Sequence, residues 1–600
     1  MAIPGTQRFG PDTFPQALVA TARRRPDATF LRVVPAKEGA PPRRVSYGEF
    51  ERSVRRAAAF LRASGVGRGD RILLFAENSP EWQAVSLAAQ TLQAEPAGLF
   101  ANLGEEAARG LAQRVRPRVA YVSTAAQWAK LAPEAMALAA GGLATVLSHE
   151  PLSGEALPAG VRAATVAGVL DAPDAPEIAP AEFDALVAAG QGEDPYLLLF
   201  TSGTTGRFKG VRLPQRAMIR AIEGGWASTG CTAGDEGLHF LPFGHVAGHD
   251  QFLLALAQGH GLIMVSRRED IPRGLALGPT YLFSVPLVYD RIREQVQTRV
   301  ASRPSPVRAL VQAALAAAQR VSQGAGRGFA DRALALFARQ AVGRPVRARL
   351  GGRVRSIFSG GAAMPTGLAA FFESLGLPFV ELYGMSETAG LISSNLFAGP
   401  RRIGSAGYPS SDLELRIAED GELYVRGGTL MTGYLDAEDE ADAYTPDGFF
   451  RTGDLARLDA DGTLEVVGRK KCLLVLSTGK KLSPEPIEQA IASAPPFAGA
   501  VLLGDGRPFA AAAVFVPQPE IERIRAEGRD VPGDLLSRAR AALEGFSEYE
   551  KPKRLLIISG ALADYPALLT PTLKLKRDAF QRWQAAEVEQ LYRDAAAARR

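Results

Sequence analysis

Two cysteines in 600 residues, Cys231 and Cys472, are too few for a disulfide framework and fit a reducing cytosol. Long apolar runs are missing as well: no stretch approaches the ~20 residues that a membrane-spanning helix needs. The opening "MAIPGTQRFGPDTF" has no basic segment followed by an apolar one, so no secretory signal is expected. Neither sign of charge dominates, since 69 Lys and Arg against 64 Asp and Glu leave a net charge of +5. Charge therefore gives no reason to expect nucleic acid as a partner. These absences point to a soluble, cytoplasmic protein.

What is present is length and layering. Six hundred residues exceed a single core, and 46% hydrophobic with 22% charged residues is ordinary globular composition. Up to about residue 300, strand-like runs alternate with helical ones: "RILLFAE" before "SPEWQAVSLAAQTL", and "VAYVS" before "AAQWAKLA". Such alternation predicts α/β layers with mainly parallel sheets. Residues 151–195, rich in Ala, Pro, Gly and acids, read as a surface stretch. From about 404, "LELRIAEDGELYVRGG" and "LARLDADGTLEVVGRKK" carry Asp-Gly pairs between alternating runs, a hairpin signal and the mark of a β-rich subdomain. Residues 469–600 mix strands and helices as a small α+β domain, with Ser483 and Pro484 opening a helix. The expected division is 1–468 and 469–600.

Residues 303–355 hold 11 arginines, no lysine and one acid, Asp331, on an Ala/Leu-rich helical background. A solvated helical insertion is the first reading, because charge runs usually face water. The competing reading is docking on an anionic membrane or a phosphate-bearing cofactor.

The densest signal is "FTSGTTGRFKG", residues 200–210, between the strand-like "YLLLF" and "GVRL". It could be a plain hairpin turn, and it lacks Walker A spacing. Yet Thr201, Ser202, Thr204 and Thr205 supply hydroxyls, Gly203 and Gly206 let backbone N–H groups approach closely, and Lys209 adds charge. That set suits a polyphosphate. The segment resembles the signature of the adenylate-forming enzymes: acyl-CoA synthetases, luciferases and peptide-synthetase adenylation domains. "SGGAAMP" (359–365), "ELYGMSETAG" (381–390), "DGFFRTGDLARLDADGTLEVVGRKK" (447–471), "LSTGKKLSPEPIE" (476–488) and "LTPTLKLKR" (569–577) resemble the family's other motifs in order.

The resemblance implies a large α/β N-terminal domain and a small mobile C-terminal domain, and it assigns roles. Residues 201–209 would hold pyrophosphate. Thr201 and Glu387 would bind Mg²⁺. Gly360, Gly361, Ala362 and Tyr383 would sandwich adenine, Gly384 would belong to the ATP site, and Ser386, standing where the family has threonine, would donate to the α-phosphate. Asp454 would accept the ribose hydroxyls, and Arg469 would add a nucleotide contact. Lys574 would bridge carboxylate and α-phosphate; Lys576 is its neighbouring alternative. Lys209, Glu387 and Lys574 would thus carry the catalysis. His245, Val246 and Gly384 would line the acyl pocket, Lys471 would be the hinge, and Gly479 would admit the pantetheine arm of coenzyme A.

The expected reaction is ATP-dependent activation of a medium- or long-chain fatty acid through acyl-AMP to acyl-CoA. Long-chain and very-long-chain synthetases are the nearest resemblance. The polar His249 and Asp250 in "LPFGHVAGHD" set a purely aliphatic acid in question. Two alternatives stay open: transfer to a carrier protein or closure of a hydroxy-acid to a lactone, and an inactive nucleotide-binding scaffold. The intact Lys209, Glu387, Asp454 and Lys574 argue against the scaffold.

Overall fold

A computed structural model describes residue 3 and residues 8–152, 157–202, 207–324, 328–362, 364–399, 401–570 and 575–597. Among these, the N-terminal part is built on two large, mainly parallel sheets. One runs, edge to edge, through Gly433–Tyr434, Phe208–Pro214, Pro195–Ser202, Glu95–Gly98, Arg71–Phe75, Val119–Val122, Thr145–Ser148 and Arg162–Thr165. Arg71–Phe75 sits centrally and is buried on both faces, which is why it reads as an unbroken apolar run rather than an alternation. Crossover helices start at clear signals. Ser46 accepts from the Glu49 N–H while Glu49 reaches back to the Ser46 N–H, opening Tyr47–Ala63. The Ser79 hydroxyl accepts from the Trp82 N–H at 3.1 Å ahead of Pro80–Thr91.

The second sheet carries the parallel strands Phe379–Tyr383, Ser356–Ser359, Tyr281–Ser284, Glu236–His239, Gly261–Met264 and Thr29–Val33, with short antiparallel strands at its edges. A four-stranded antiparallel sheet follows, ordered Leu413–Ile417, Glu422–Gly427, Phe450–Leu458, Leu464–Arg469. Both Asp-Gly turns fall where the hairpins reverse. The smaller C-terminal domain holds the hairpin Leu474–Val475/Lys481–Leu482 and the sheet Ala500–Leu503, Ala511–Val516, Leu555–Ser559, covered by helices.

One local expectation needs correction and another a detail. Residues 151–195 are more than a surface stretch. They contain the edge strand Arg162–Thr165 and the helix Pro180–Ala188, whose Phe183 and Val187 are buried in the main core. The spacing of those two residues, i and i+4, is the helical signal that the Ala/Pro background masked. Ser483 does stand at the N-cap of Pro484–Ser493, but its hydroxyl makes no capping bond. It packs instead against Gly468, where a Cβ would overlap it.

The arginine-rich segment is helical, as expected: Ser305–Ser322, Phe329–Ala338 and Arg344–Arg349. The first two pack on each other through Ala314, Ala318, Ala335 and Ala338. No helix among the described residues is long and apolar enough to cross a membrane.

Candidate active site

A cavity of about 610 Å³ opens where the two parallel sheets meet the antiparallel one, at the C-terminal ends of the parallel strands. That is where open α/β sheets leave a crevice, because the crossovers diverge there. Thr201, Lys209, His245, Val246, Gly360, Gly361, Gly384, Ser386, Glu387, Arg469 and Lys471 all line it. Residues spread over 271 positions of sequence are thus gathered at one site.

At one end the groups are charged and paired. Strands Pro195–Ser202 and Phe208–Pro214 are antiparallel, with Thr201 opposite Lys209. The Lys209 ammonium lies 3.4 Å from Asp439 and 4.7 Å from the centre of the Tyr434 ring. Gly203, Thr204, Thr205, Gly206 and the side chain of Ser202 lie outside the described residues. Glu387 sits in the single turn Ser386–Thr388 and is buried. The Tyr434 hydroxyl donates to its Oε1 at 3.0 Å. Burial pushes the Glu387 carboxyl above its ordinary value, while hydrogen bonds and the charges of Arg469 and Lys209 oppose the shift.

Tyr383, Asp454 and Arg469 form one linked group. Tyr383 ends the strand Phe379–Tyr383 and donates to Asp454 Oδ2 at 2.6 Å. Asp454 and Arg469 face each other on paired strands, and Arg469 Nε lies 2.9 Å from Asp454 Oδ1. Asp454 is buried. Burial and the neighbouring carboxylate raise the Tyr383 phenol well above its usual value, so it remains a donor. Gly360 and Gly361 follow the strand Ser356–Ser359, and the φ of +80° at Gly361 is one that residues with a Cβ rarely adopt. Ala362 is exposed beside them and does not line the cavity.

The far arm is different. His245 caps the helix Val246–Gln258, its Nδ1 accepting from the Ala247 N–H at 3.2 Å. His249 is a packed core residue. Its Nδ1 accepts from the Tyr196 hydroxyl at 2.7 Å and its Nε2 donates to the Phe243 carbonyl at 2.8 Å. Burial lowers its pKa to about 3, so the ring is neutral.

Not every expected residue is described at the cavity. Lys574 lies outside the described residues, although Leu569 and Leu575 on either side of its segment pair in an antiparallel bridge. Lys576 opens the helix Arg577–Trp583. Gly479 sits on an exposed turn with open space around it and is not a lining residue. Lys471, in the turn Lys470–Cys472, is exposed at the cavity edge.

Sequence reasoning missed Tyr434 and Asp439. Nothing local marks them: the strand Gly433–Tyr434 reaches the site only by pairing with Val211 and Arg212, more than 200 residues away. The acidic run "DAEDE" (436–440) was the available signal, being the natural counterpart of Arg207 and Lys209.

Residues 18–435 match the family model of the AMP-binding enzymes, and residues 472–596 match that of the AMP-binding enzyme C-terminal domain. The chain belongs to the AMP-binding enzyme family. It is 30% identical over 570 residues to the long-chain-fatty-acid–CoA ligase FadD15 of Mycobacterium bovis, covering 91% of this chain and 92% of that one. It is 28% identical over 557 residues to the human long-chain-fatty-acid–CoA ligase 6, covering 86% and 78%. Its fold is that of the adenylation domain of a carboxylic acid reductase from Segniliparus rugosus, solved with AMP and a co-purified carboxylic acid. The TM-score is 0.75, with 21% identity over 97% of this chain and 94% of that one. The enzyme is an AMP-forming acid ligase that activates a carboxylic acid with ATP.

Proposed function

We propose that the acid is a medium- or long-chain fatty acid and that the acceptor is coenzyme A, with AMP and pyrophosphate released. The carrying observation is that one cavity joins a charged end, with Lys209, Glu387 and Arg469, to an arm lined by Ala221, Ile222, Leu254, Phe283, Phe358 and Leu391. An apolar chain suits the arm, and its carboxylate would meet the nucleotide near His245 and Gly384. The fatty-acid ligase relatives support the same reading.

The chemistry requires two anions to be brought together, so donors and positive charge must be in place beforehand. Lys209 and the loop 201–206 would hold the leaving pyrophosphate. Ser386 would donate to the α-phosphate. Asp454 has acceptor sites beyond those used by Tyr383 and Arg469, and these would take the ribose hydroxyls. Glu387 and Thr201 would hold Mg²⁺. They suit it, being hard oxygen donors with the buried carboxylate already in the cavity, and no cluster of three or more acidic, His or Cys residues able to hold a metal occurs among the described residues. One carboxylate shared with substrate phosphates is the usual arrangement for this ion, which when bound neutralises phosphate charge. Lys574 would bridge the carboxylate and α-phosphate. The unit 469–600 would then turn about Lys471 and carry Gly479 to the acceptor channel.

The test is pyrophosphate release with a panel of acids, with and without coenzyme A, and mass spectrometry of the product. Acyl-CoA is expected. A free acyl-adenylate, a lactone or a product seen only with a carrier protein would replace the acceptor. No pyrophosphate with any acid would leave the scaffold reading.

We also propose cytoplasmic residence, with contact at an anionic membrane through 303–355. Val307, Leu310, Phe329, Leu336 and Phe337 are exposed there, Phe329 at 89%. They recur at i, i+3 on one helix and i, i+7, i+8 on the next, among the exposed Arg332 and Arg339. Not every arginine is available: Arg355 pairs with Asp235 at 2.8 Å, and Arg347 caps the carbonyls of Leu375 and Gly376. Co-sedimentation with acidic vesicles that weakens as salt rises is expected. Absence of binding at low salt would return the segment to a solvated face.

A further inference from the structure

The helix Val246–Gln258 lays one face along the apolar arm: Val246, Ala247, Asp250, Gln251 and Leu254 line the cavity. Asp250 stands four residues from Val246 and four from Leu254, so it lies mid-face, about 6 Å along the helix from Val246 at a rise of ~1.5 Å per residue. A carboxyl is out of place on an arm that Ile222, Leu254, Phe358 and Leu391 also line.

The other polar groups of this arm have partners inside the protein. Gln251 bonds His239 at 3.1 Å and the Leu238 carbonyl at 3.0 Å. The Tyr281 hydroxyl lies 3.0 Å from His260 Nε2. Thr229 donates to the Trp226 carbonyl at 3.5 Å. Asp250 makes no hydrogen bond or ion pair among the described residues, and its Oδ1 is enclosed without a partner. Its Oδ2 rests on the bare Cα of Gly390, where φ is +89° and a Cβ would overlap the oxygen. Burial pushes this carboxyl well above the ordinary carboxylate range, and a protonated carboxyl has one O–H to give and oxygens to accept. Buried polar groups are nearly always satisfied, yet Asp250, half-buried and lining the cavity, has no partner inside the described protein, which leaves its accessible side for a ligand group.

We propose that Asp250 determines specificity by hydrogen-bonding a hydroxyl carried partway along the acyl chain, making hydroxy-substituted fatty acids the preferred substrate class. This rests on the reading that the arm receives a fatty acyl chain. A hydroxyl can both donate to and accept from a protonated carboxyl. An ammonium would bring its own charge to an ionised Asp250, so amino-substituted chains are the competing class that the test separates.

The experiment measures kcat/KM for pyrophosphate release with a saturated fatty acid and with same-length acids bearing one hydroxyl at successive chain positions. The wild type should prefer the hydroxy acid at one position by ~10-fold or more, because a site built around a hydroxyl rejects the analogue lacking it. Asp250→Leu should cut that ratio by ~10-fold or more and improve use of the plain acid; Asp250→Asn should keep part of the preference. Each ratio is taken on a single protein, so partial misfolding cancels. Equal use of plain and all hydroxy acids, unchanged by Asp250→Leu, overturns this inference and leaves the fatty-acid reading standing. No release with either set overturns both. A preference for amino-substituted chains that Asp250→Asn abolishes overturns the hydroxyl in favour of a cation.

Discussion

At the end of the cavity that holds Lys209, Glu387 and Arg469, each charge stands beside a partner: Asp439, Tyr434 and Asp454 respectively. In the opposite arm a single carboxyl, Asp250, has none. In the proposed reaction the charged end would meet phosphate with its donors already positioned by these pairs, and such groups do most when aimed in advance at developing charge. The apolar arm is shaped by packing, and one unpaired group there can discriminate between substrates because it is costly to leave unmet. In the proposed function the first arrangement would serve the reaction and the second the choice of acid.

The largest expected effect falls on the chemistry proposed for the charged end. Lys574→Ala should lower adenylation by at least ~10², while thioester formation from supplied acyl-adenylate is largely spared. Equal losses in the two half-reactions would move the role elsewhere. Next is Lys471→Pro, which fixes φ at the proposed pivot. Adenylation should stay within about tenfold of wild type and thioester formation should fall by ~10², as gating by a conformational step predicts. Wild-type thioester rates would place the pivot at another residue.

Glu387→Gln keeps the size and removes the charge, so the Mg²⁺ concentration for half-maximal activity should rise. Superimposed titrations of mutant and wild type would remove Glu387 from the metal site.

The smallest effect concerns stability beside the apolar arm. Burial lowers the pKa of His239 to about 4, of His249 to about 3 and of His260 to about 4. Each ring takes up a proton near pH ~6.5 once unfolded, but stays neutral in the fold. The unfolded chain therefore binds more protons below that pH, and stability is lost as pH falls from about 6.5 towards 4. The thermal midpoint should drop between about pH 7.5 and 5, and less so in His249→Gln. A level midpoint would contradict neutral buried rings.

The charged end was largely legible in the linear chain. Phosphate-binding loops need small and hydroxyl residues at close spacing, so residues 201–209 advertise themselves. Gly360, Glu387, Asp454 and Arg469 each sit in a short run whose composition is unusual for a strand end. Helices and hairpins were legible for the same local reason, since capping residues and Asp-Gly turns act within a few positions. The helix Pro180–Ala188 escaped because its core contacts, Phe183 and Val187, are only two residues in a bland background.

The sequence by itself determined the α/β class and the hairpin-rich subdomain and carried the family motifs of the charged end, because backbone geometry and short motifs are local. Only the tertiary structure decided how His249 and Asp250, adjacent in the chain and equally polar, differ. Tyr196 and the Phe243 carbonyl converge on His249 and make it part of the core. Asp250, one residue on along the helix, faces the cavity and meets no partner. Pairing of Tyr434 with Glu387 and of Lys209 with Asp439 was likewise decided in three dimensions, because contacts between distant segments depend on how sheets pack and leave no local pattern to read.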